Sequence, residues 1–482
     1  MKVFAGHLPG LSRDDVEWRE ATFSAWGESV KVMLPVLHEA QARALCADIR
    51  AHAGARLKTM EVARIAAAID AAIARLLDRD HPLRREAERL LPVVTGYDPE
   101  TVRLGLTSYL KTFRLPQLKR FLAEDFGNPG VLDAFEPTPK GGFVRAYGPE
   151  LLLHVWAGNV PGLSLWSLIC GLLVKAGSVG KLASAEPLMA GWFASLLAEI
   201  DPEIGACLAI VWWKGGDAAA ADIFLHEADT VMAYGSNATL AGLRARLPVT
   251  TRFLPHGHKI GFGMIGREAL DSRKAAAVAR LAACDVIRYE QQGCYSPQMI
   301  FVERGGPVSP AGFARHLGHE LAAAASRHPR RRLSAGDAGA VAAWRNAQEL
   351  QALDGAATVL GGPGDPWSIV HVESPEPLHP SGLYRTLKLV AVDSLEEVPA
   401  LVGRFRHFLQ TAGVAASPER LHRLAALLGA VGVTRVAALG GMTSPEAGWH
   451  HDGRFSLLDL VTMTEIERGA ELAAEGFAPY VD

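Results

Sequence analysis

Residues 154–181 read HVWAGNVPGLSLWSLICGLLVKAGSVGK. A β-type run turns at Asn159 and Pro161, continues as an apolar helical stretch, and ends in a second β-type run that contains Val179 and Lys181. A strand, a crossover helix and a strand in this compass make a parallel pair, because a crossover takes about a dozen residues or more. The pattern continues outward. β-type runs at 143–147, 151–156, 178–182, 209–213, 230–234 and 259–265 alternate with helical patterns such as 163–175 and 188–199. This predicts an α/β chain with a parallel sheet covered on both faces.

A second set follows, with helices at 270–283, 310–326 and 395–410 and strands at 299–303, 368–372 and 387–392. Two α/β units place a cleft between them, where ligands bind. Ahead of both, 39–77 and 82–91 are rich in Ala, Leu, Arg and Glu with apolar residues at helical spacing, and the Gly/Pro-rich stretch 127–141 reads as a linker.

Composition narrows the function classes. In 482 residues, 49 Lys and Arg face 52 Asp and Glu, a net charge of -3, with 49% hydrophobic residues. That balance suits a globular chain and argues against a basic surface for nucleic acid or anionic lipid. The densest basic run, HPRRRL at 328–333, reads either as a solvated helix end or as an anion contact. Five cysteines without a CxxC pair predict reduced thiols and a cytoplasmic protein. The most apolar stretch, 163–174, is shorter than the roughly 20 residues that cross a bilayer, so no membrane insertion is expected.

Several motifs fail on context. Gly261, Gly263 and Gly266 form a literal GxGxxG, with Asp285 at about the distance of a ribose-binding acid, yet the glycines alternate with Ile260, Phe262 and Met264 inside a strand-like run. Gly180-Lys181 is no P-loop, because Leu182 stands where Ser or Thr is needed. The clusters His256/His258, His450/His451 and His316/His319/Glu320 lack metal-site spacing, so no metal is expected. For the first two pairs a part in proton transfer stays open beside a plain polar surface.

Chemistry enters at 289–297, YEQQGCYSP, which sets Cys294 on a loop just ahead of an apolar strand. A thiolate there is suited to holding an acyl group as a thioester. The amide of Asn159, fixed in its turn after a strand, is suited to donating to a developing oxyanion. At 230–236, TVMAYGS, a strand ends in Gly235-Ser236 ahead of a helix and offers free N–H groups to a phosphate.

These segments, in this order, resemble the aldehyde dehydrogenase superfamily and, within it, the LuxC-type acyl-CoA reductases, the reductase component of bacterial fatty-acid reductase complexes. The likeness is clear over about 140–302 and thinner to about 467. HVWAGNVPG resembles the superfamily's Pro-Trp-Asn turn, GKLASAEP its cofactor-ribose segment, MAYGS its Phe-Thr-Gly-Ser and QQGCYSPQ its cysteine loop. The resemblance implies an aldehyde dehydrogenase-like α/β fold: a mainly helical region 1–126, a Rossmann-type NAD(P) domain 127–258, a catalytic domain 259–430, and a segment 431–482 that closes the fold or an oligomer interface.

It further implies that Cys294 is the nucleophile, Asn159 the oxyanion donor and Trp156 part of the nicotinamide side. Lys181 then contacts the adenosine ribose, and Gly235 and Ser236 cap a helix beneath the pyrophosphate. Two departures matter. Pro255 occupies the position of the glutamate that activates water in hydrolytic members, so the acyl-enzyme is expected to pass to or from a thiol carrier. Ser184 occupies the position of a ribose-binding glutamate, which favours NADPH over NADH, while Glu186 is out of register. The superfamily's Glu-Ile-Phe-Gly-Pro segment is replaced around 383–390, LYRTLKLV.

The expected activity is NADPH-dependent reduction of a fatty or other acyl thioester to the aldehyde through an S-acyl cysteine. Acyl-CoA or an acylated carrier or synthetase protein is the expected donor, and a homodimer or homotetramer the implied assembly. The same chemistry run backwards, as a CoA-acylating aldehyde dehydrogenase, and a non-catalytic acyl-carrier-binding subunit are the alternatives.

Overall fold

The computed structural model describes residues 2–479. Its first parallel sheet has the order Leu208–Val211, Gly177–Lys181, Leu151–Val155, Thr230–Tyr234, Arg252–His256. Counted along the chain this is 3-2-1-4-5, the doubly wound order whose ligand crevice opens where the first and fourth strands separate at their carboxyl ends. Both faces are covered, as a continuous apolar run requires. Leu152 enters one core with Ile69 and Leu168, whereas Leu151 and Leu153 enter the opposite core with Leu45 and Ile49.

The second sheet has seven strands in the order Ala357–Leu360, Ser368–Val372, Thr386–Val392, Pro297–Glu303, Ile260–Ile265, Leu409–Ala415, Arg435–Ala438, parallel except at the first pair. Gly261 and Gly263 lie inside a strand of this sheet. A Cβ on Gly261 would meet the carbonyl oxygens of Tyr295 and Ser296 at 2.6 and 2.7 Å, so glycine there lets the strand approach the cysteine loop. Asp285 is buried and accepts from the Gly440 amide, closing a turn.

A third, antiparallel sheet joins Thr462–Ile466, Phe143–Tyr147 and Glu136–Pro137. No helix among the described residues is long and apolar enough to cross a membrane.

The structure departs from the sequence reading at several points, among them the unanticipated strand Arg252–His256 and the placing of Phe143–Tyr147 in the antiparallel sheet. The first 36 residues are not helical: Lys2–Phe4, Glu17–Ala25 and Glu28–Val36 form a three-stranded sheet whose Val30, Val32 and Leu34 point inward at strand period. The helix expected at 395–410 shrinks to Val398–Val402, and Gln410 belongs instead to the strand Leu409–Ala415. A helix at Ala335–Ala352 was not anticipated, since it buries only Gln348 and carries little apolar pattern. The last strand of the second sheet, Arg435–Ala438, lies past residue 430.

Candidate active site

Cys294 is on the loop that enters the central strand Pro297–Glu303 and lines a cavity of about 400 Å³ between the two parallel sheets. The loop's shape is unusual. Tyr289, Glu290 and Gln291 all take left-handed backbone angles, with φ of 53°, 53° and 59°. A second left-handed triplet, Leu383, Tyr384 and Arg385, with φ of 58°, 50° and 70°, lies against it. Side chains of these types reach such angles only at a cost, and here the surroundings hold them.

The Tyr384 amide donates to the Glu290 carbonyl at 3.1 Å, and the Arg385 amide to Gln291 Oε1 at 2.7 Å. The Arg385 guanidinium holds Glu290 through two bonds of 2.9 Å, with 1% and 3% of the two side chains exposed. Gly105 leaves room for the Tyr289 hydroxyl, and Gly293 for the Tyr295 ring. The basic run at 328–333 braces this corner: the Arg331 guanidinium sits 5.0 Å from the Tyr97 ring centre and 5.2 Å from that of Tyr384.

Asn159 faces the same cavity from the first sheet. Its Nδ2 donates to the Gln292 carbonyl at 2.6 Å, tying the turn after Leu151–Val155 to the cysteine loop. An amide nitrogen has two hydrogens, so one remains for an oxyanion. Burial pushes the Cys294 thiol up to about 12; Asp452 adds to this and Gln410 opposes it. The resting residue is a thiol.

A third group closes the cavity. His256, at the carboxyl end of its strand, places Nδ1 2.9 Å from Asp452 Oδ2, and Gln410 Nε2 donates to Asp452 Oδ1 at 2.7 Å. The His256 ring stacks on Tyr234, at 4.7 Å, and on His451, at 4.5 Å, and these two rings are 6.1 Å from each other. Burial works to raise the Asp452 carboxyl, but the bonds from His256 and Gln410 help to outweigh it and hold the group below its ordinary range. His256, His451 and Asp452 bring potential metal-ligand atoms within 4.8 Å. With the two rings only 5° from parallel and face to face, one ion cannot lie in both ring planes, as lone-pair donation from each imidazole needs. His450 turns the other way, towards Phe455.

The remaining sequence candidates also sit at the carboxyl ends of the first sheet. Gly235 and Ser236 line the cavity, and Ser236 Oγ caps the helix Asn237–Arg244 by accepting from the Thr239 amide at 3.1 Å. Trp156, Lys181 and Ser184 lie outside the cavity lining. Trp156 is 4% exposed, packs over Gly180 and donates to Ser167 Oγ at 2.7 Å. Lys181 Nζ lies 5.8 Å from the Trp213 ring centre, its pKa lowered by burial, with no carboxylate partner among the described residues. Ser184 Oγ accepts from the Trp212 indole at 3.3 Å. Glu186 is occupied elsewhere: its Oε1 accepts from the Leu188 and Met189 amides at 2.9 Å each.

Sequence reasoning missed Tyr97, Gln410 and the partnership of Asp452 with His256. Nothing local marks Gln410, and Asp452 and His256 are 196 positions apart. The adjacent His-His-Asp at 450–452 was the one available signal.

Residues 57–463 match the profile of the acyl-CoA reductase (LuxC) family. The chain belongs to the LuxC family. Among LuxC relatives, the long-chain acyl-protein thioester reductase of Vibrio harveyi is 23% identical over 396 residues, 81% of this chain and 79% of that protein. The protein of the same name from Photorhabdus luminescens is 25% identical over 229 residues, a match that spans 46% of each, about half the relative's length. Solved structures give the fold. An aldehyde dehydrogenase from Pseudomonas aeruginosa superposes with a TM-score of 0.74 at 14% identity, covering 96% of both chains. Indole-3-acetaldehyde dehydrogenase complexed with NAD+ gives the same TM-score, identity and coverage. This LuxC chain therefore has the aldehyde dehydrogenase fold.

Proposed function

We propose that this chain reduces a fatty acyl thioester to the aldehyde with NADPH, by way of an S-acyl intermediate on Cys294. The observation that carries the reading is the joining of two loops at one cavity: Asn159, at the switch point of the first sheet, bonds at 2.6 Å to Gln292, two residues before Cys294. Attack of the thiolate on the thioester carbonyl puts charge on its oxygen, and the remaining Asn159 N–H is the donor for that charge.

The cavity lining lacks a free carboxylate of the kind that activates water in hydrolytic members of the superfamily. Asp452 is the single carboxylate among the described cavity-lining residues, and both its oxygens are taken, by His256 and Gln410. Pro255, in the strand Arg252–His256, brings no base. Leu163 and Trp166, from the start of the buried helix Ser164–Leu173, give the cavity an apolar wall for an acyl chain. The relatives' names support an acylated protein as donor.

The fold and the order 3-2-1-4-5 fit a nicotinamide dinucleotide. Gly235 and Ser236 would hold its pyrophosphate at the capped helix start, and Lys181 and Ser184 its adenosine ribose. When bound it supplies the hydride for the thioester carbon. Glu186 is spent on capping the helix Met189–Ile200, and the Lys181 ammonium has no carboxylate partner among the described residues, both of which favour a 2′-phosphate and hence NADPH. The exposed edge strand Thr462–Ile466 supports a homo-oligomer. The free cysteines support a cytoplasmic setting.

The test is intact mass after incubation with medium- and long-chain acyl thioesters, without nucleotide, for wild type and Cys294→Ala. An adduct confined to the wild type and discharged as aldehyde on adding NADPH is expected. An adduct that persists in Cys294→Ala, or that leaves as free acid, would refute the reading.

A further inference from the structure

The acyl-transfer step needs a base for the Cys294 thiol and an acid for the departing thiolate, and one side chain at the cavity can serve as both. The geometry points to His256 as this acid-base residue, held in orientation by Asp452. The inference rests on the acyl-thioester reading above and adds the proton route to it.

Four observations carry it. His256 and Cys294 line the same cavity. Nδ1 of His256 is committed to Asp452 at 2.9 Å, which leaves Nε2 as the working nitrogen, and Nε2 has no protein partner among the described residues. Gln410 lies against both the Cys294 thiol and Asp452, so one amide spans nucleophile and carboxylate. The second imidazole at the site does not compete for the proton: His451, stacked on His256 at 4.5 Å, is pushed down to about 3, first by burial and then by the neighbouring ring. A histidine whose Nδ1 is fixed by a carboxylate and whose Nε2 is left unpartnered at the nucleophile's cavity is the kind of group that base-assisted thiol and hydroxyl attack requires.

The protons balance as follows. His256 Nε2 takes the proton of Cys294, and the thiolate attacks the carbonyl carbon. The carbon–sulfur bond to the carrier breaks, and the proton on Nε2 passes to the leaving sulfur, which departs as a thiol. After hydride addition the oxyanion re-forms its carbonyl, releasing aldehyde and Cys294 thiolate. A solvent proton, entering through His256, restores the thiol. One proton is consumed per turnover, as reduction of a thioester to aldehyde and thiol demands.

The titratable and charged groups around His256 are Tyr234, Cys294, His451 and Asp452, with His258 and Lys259 on its own segment. The experiment is pre-steady-state acylation, followed by thiol release, with an alkyl acyl thioester and with an aryl thioester whose leaving thiolate needs no proton. Wild type, His256→Gln and Asp452→Asn are compared from pH 6 to pH 10. In His256→Gln the alkyl thioester should slow by about 10²–10⁴-fold. The aryl substrate should slow less, widening the aryl-to-alkyl rate ratio at least about tenfold, and the histidine inflection in the pH profile should vanish. Asp452→Asn should keep an inflection and move it to lower pH, and it carries the test if His256→Gln does not fold. A wild-type leaving-group ratio and pH profile in both variants would overturn the inference while leaving the Cys294 reading intact. Failure of the wild type itself to acylate with either substrate would overturn both.

Discussion

The hydroxyl of Tyr97 donates to the carbonyl of Asn159 at 2.7 Å. The same oxygen lies 3.2 Å from the Tyr289 carbonyl, so one buried phenol from the N-terminal region spans the oxyanion turn and the start of the cysteine loop. Tyr97→Phe strips the Asn159 carbonyl of this donor, while the Tyr289 carbonyl keeps the Gln292 amide at 2.8 Å. It should cost about 1–3 kcal/mol of stability in denaturant unfolding, and should slow acylation of Cys294 more than it changes substrate KM.

Asn159→Ala removes the proposed oxyanion donor and the bond to Gln292. The rate of acyl-enzyme formation should fall by about 10²–10³-fold, while alkylation of Cys294 by iodoacetamide, which needs no oxyanion, persists. Equal loss of both rates would mean that Asn159 only shapes the loop.

Glu290→Gln strips the countercharge from the buried Arg385, whose Nη1 is already without a partner. The expected cost is about 3–5 kcal/mol. A double substitution, Glu290→Leu with Arg385→Met, should recover most of it, because the cost lies in the stranded charge; thermal unfolding of both variants against wild type checks this.

Glu303, with 1% of its side chain exposed, accepts from Arg420 at 2.8 and 2.9 Å and from Arg267 at 3.1 Å. Burial works to raise its carboxyl, but these bonds overcome it and hold the group down to about 2, against an ordinary 4.5. A depressed value means that its contribution, about 3 kcal/mol, is fully present above pH 4.5 and fades as the pH falls towards 2. The stability gap between wild type and Glu303→Gln should therefore be constant at neutral pH and close across that window, as urea titrations at successive pH values would show.

Ser184→Glu places a carboxylate beside Lys181, where it would repel a 2′-phosphate. NADPH KM should rise by about 10–100-fold with little change for NADH. Lys181→Ala should weaken NADPH in the same sense, and steady-state kinetics with both nucleotides distinguish selectivity from general damage.

The central strands of the first sheet were legible because they are buried on both faces and bounded by turn residues: the runs at 151–156 and 230–234 match Leu151–Val155 and Thr230–Tyr234. Cys294 and Asn159 were legible because each sits in a short turn beside a strand, a local signal. What escaped was non-local. Gln410 looked like the end of a helix because Leu395 to Val402 has helical spacing, yet its sheet partners supply the strand it joins. Tyr97 reaches the site from 62 positions away and carries no mark of doing so. The sheet within the first 36 residues was passed over although Val30, Val32 and Leu34 alternate at strand period, since the helical composition that follows dominated the reading.

The paired left-handed triplets have a consequence for how the protein matures. The Arg385 amide and Gln291 lie 94 positions apart, and each triplet is held in its costly backbone form by the other. The cysteine loop cannot take its working shape on a nascent chain that ends before Arg385, however well the dinucleotide sheet has already formed. Assembly of the loop that carries Cys294 is thus tied to the 383–385 turn, 94 positions from its bonding partner Gln291.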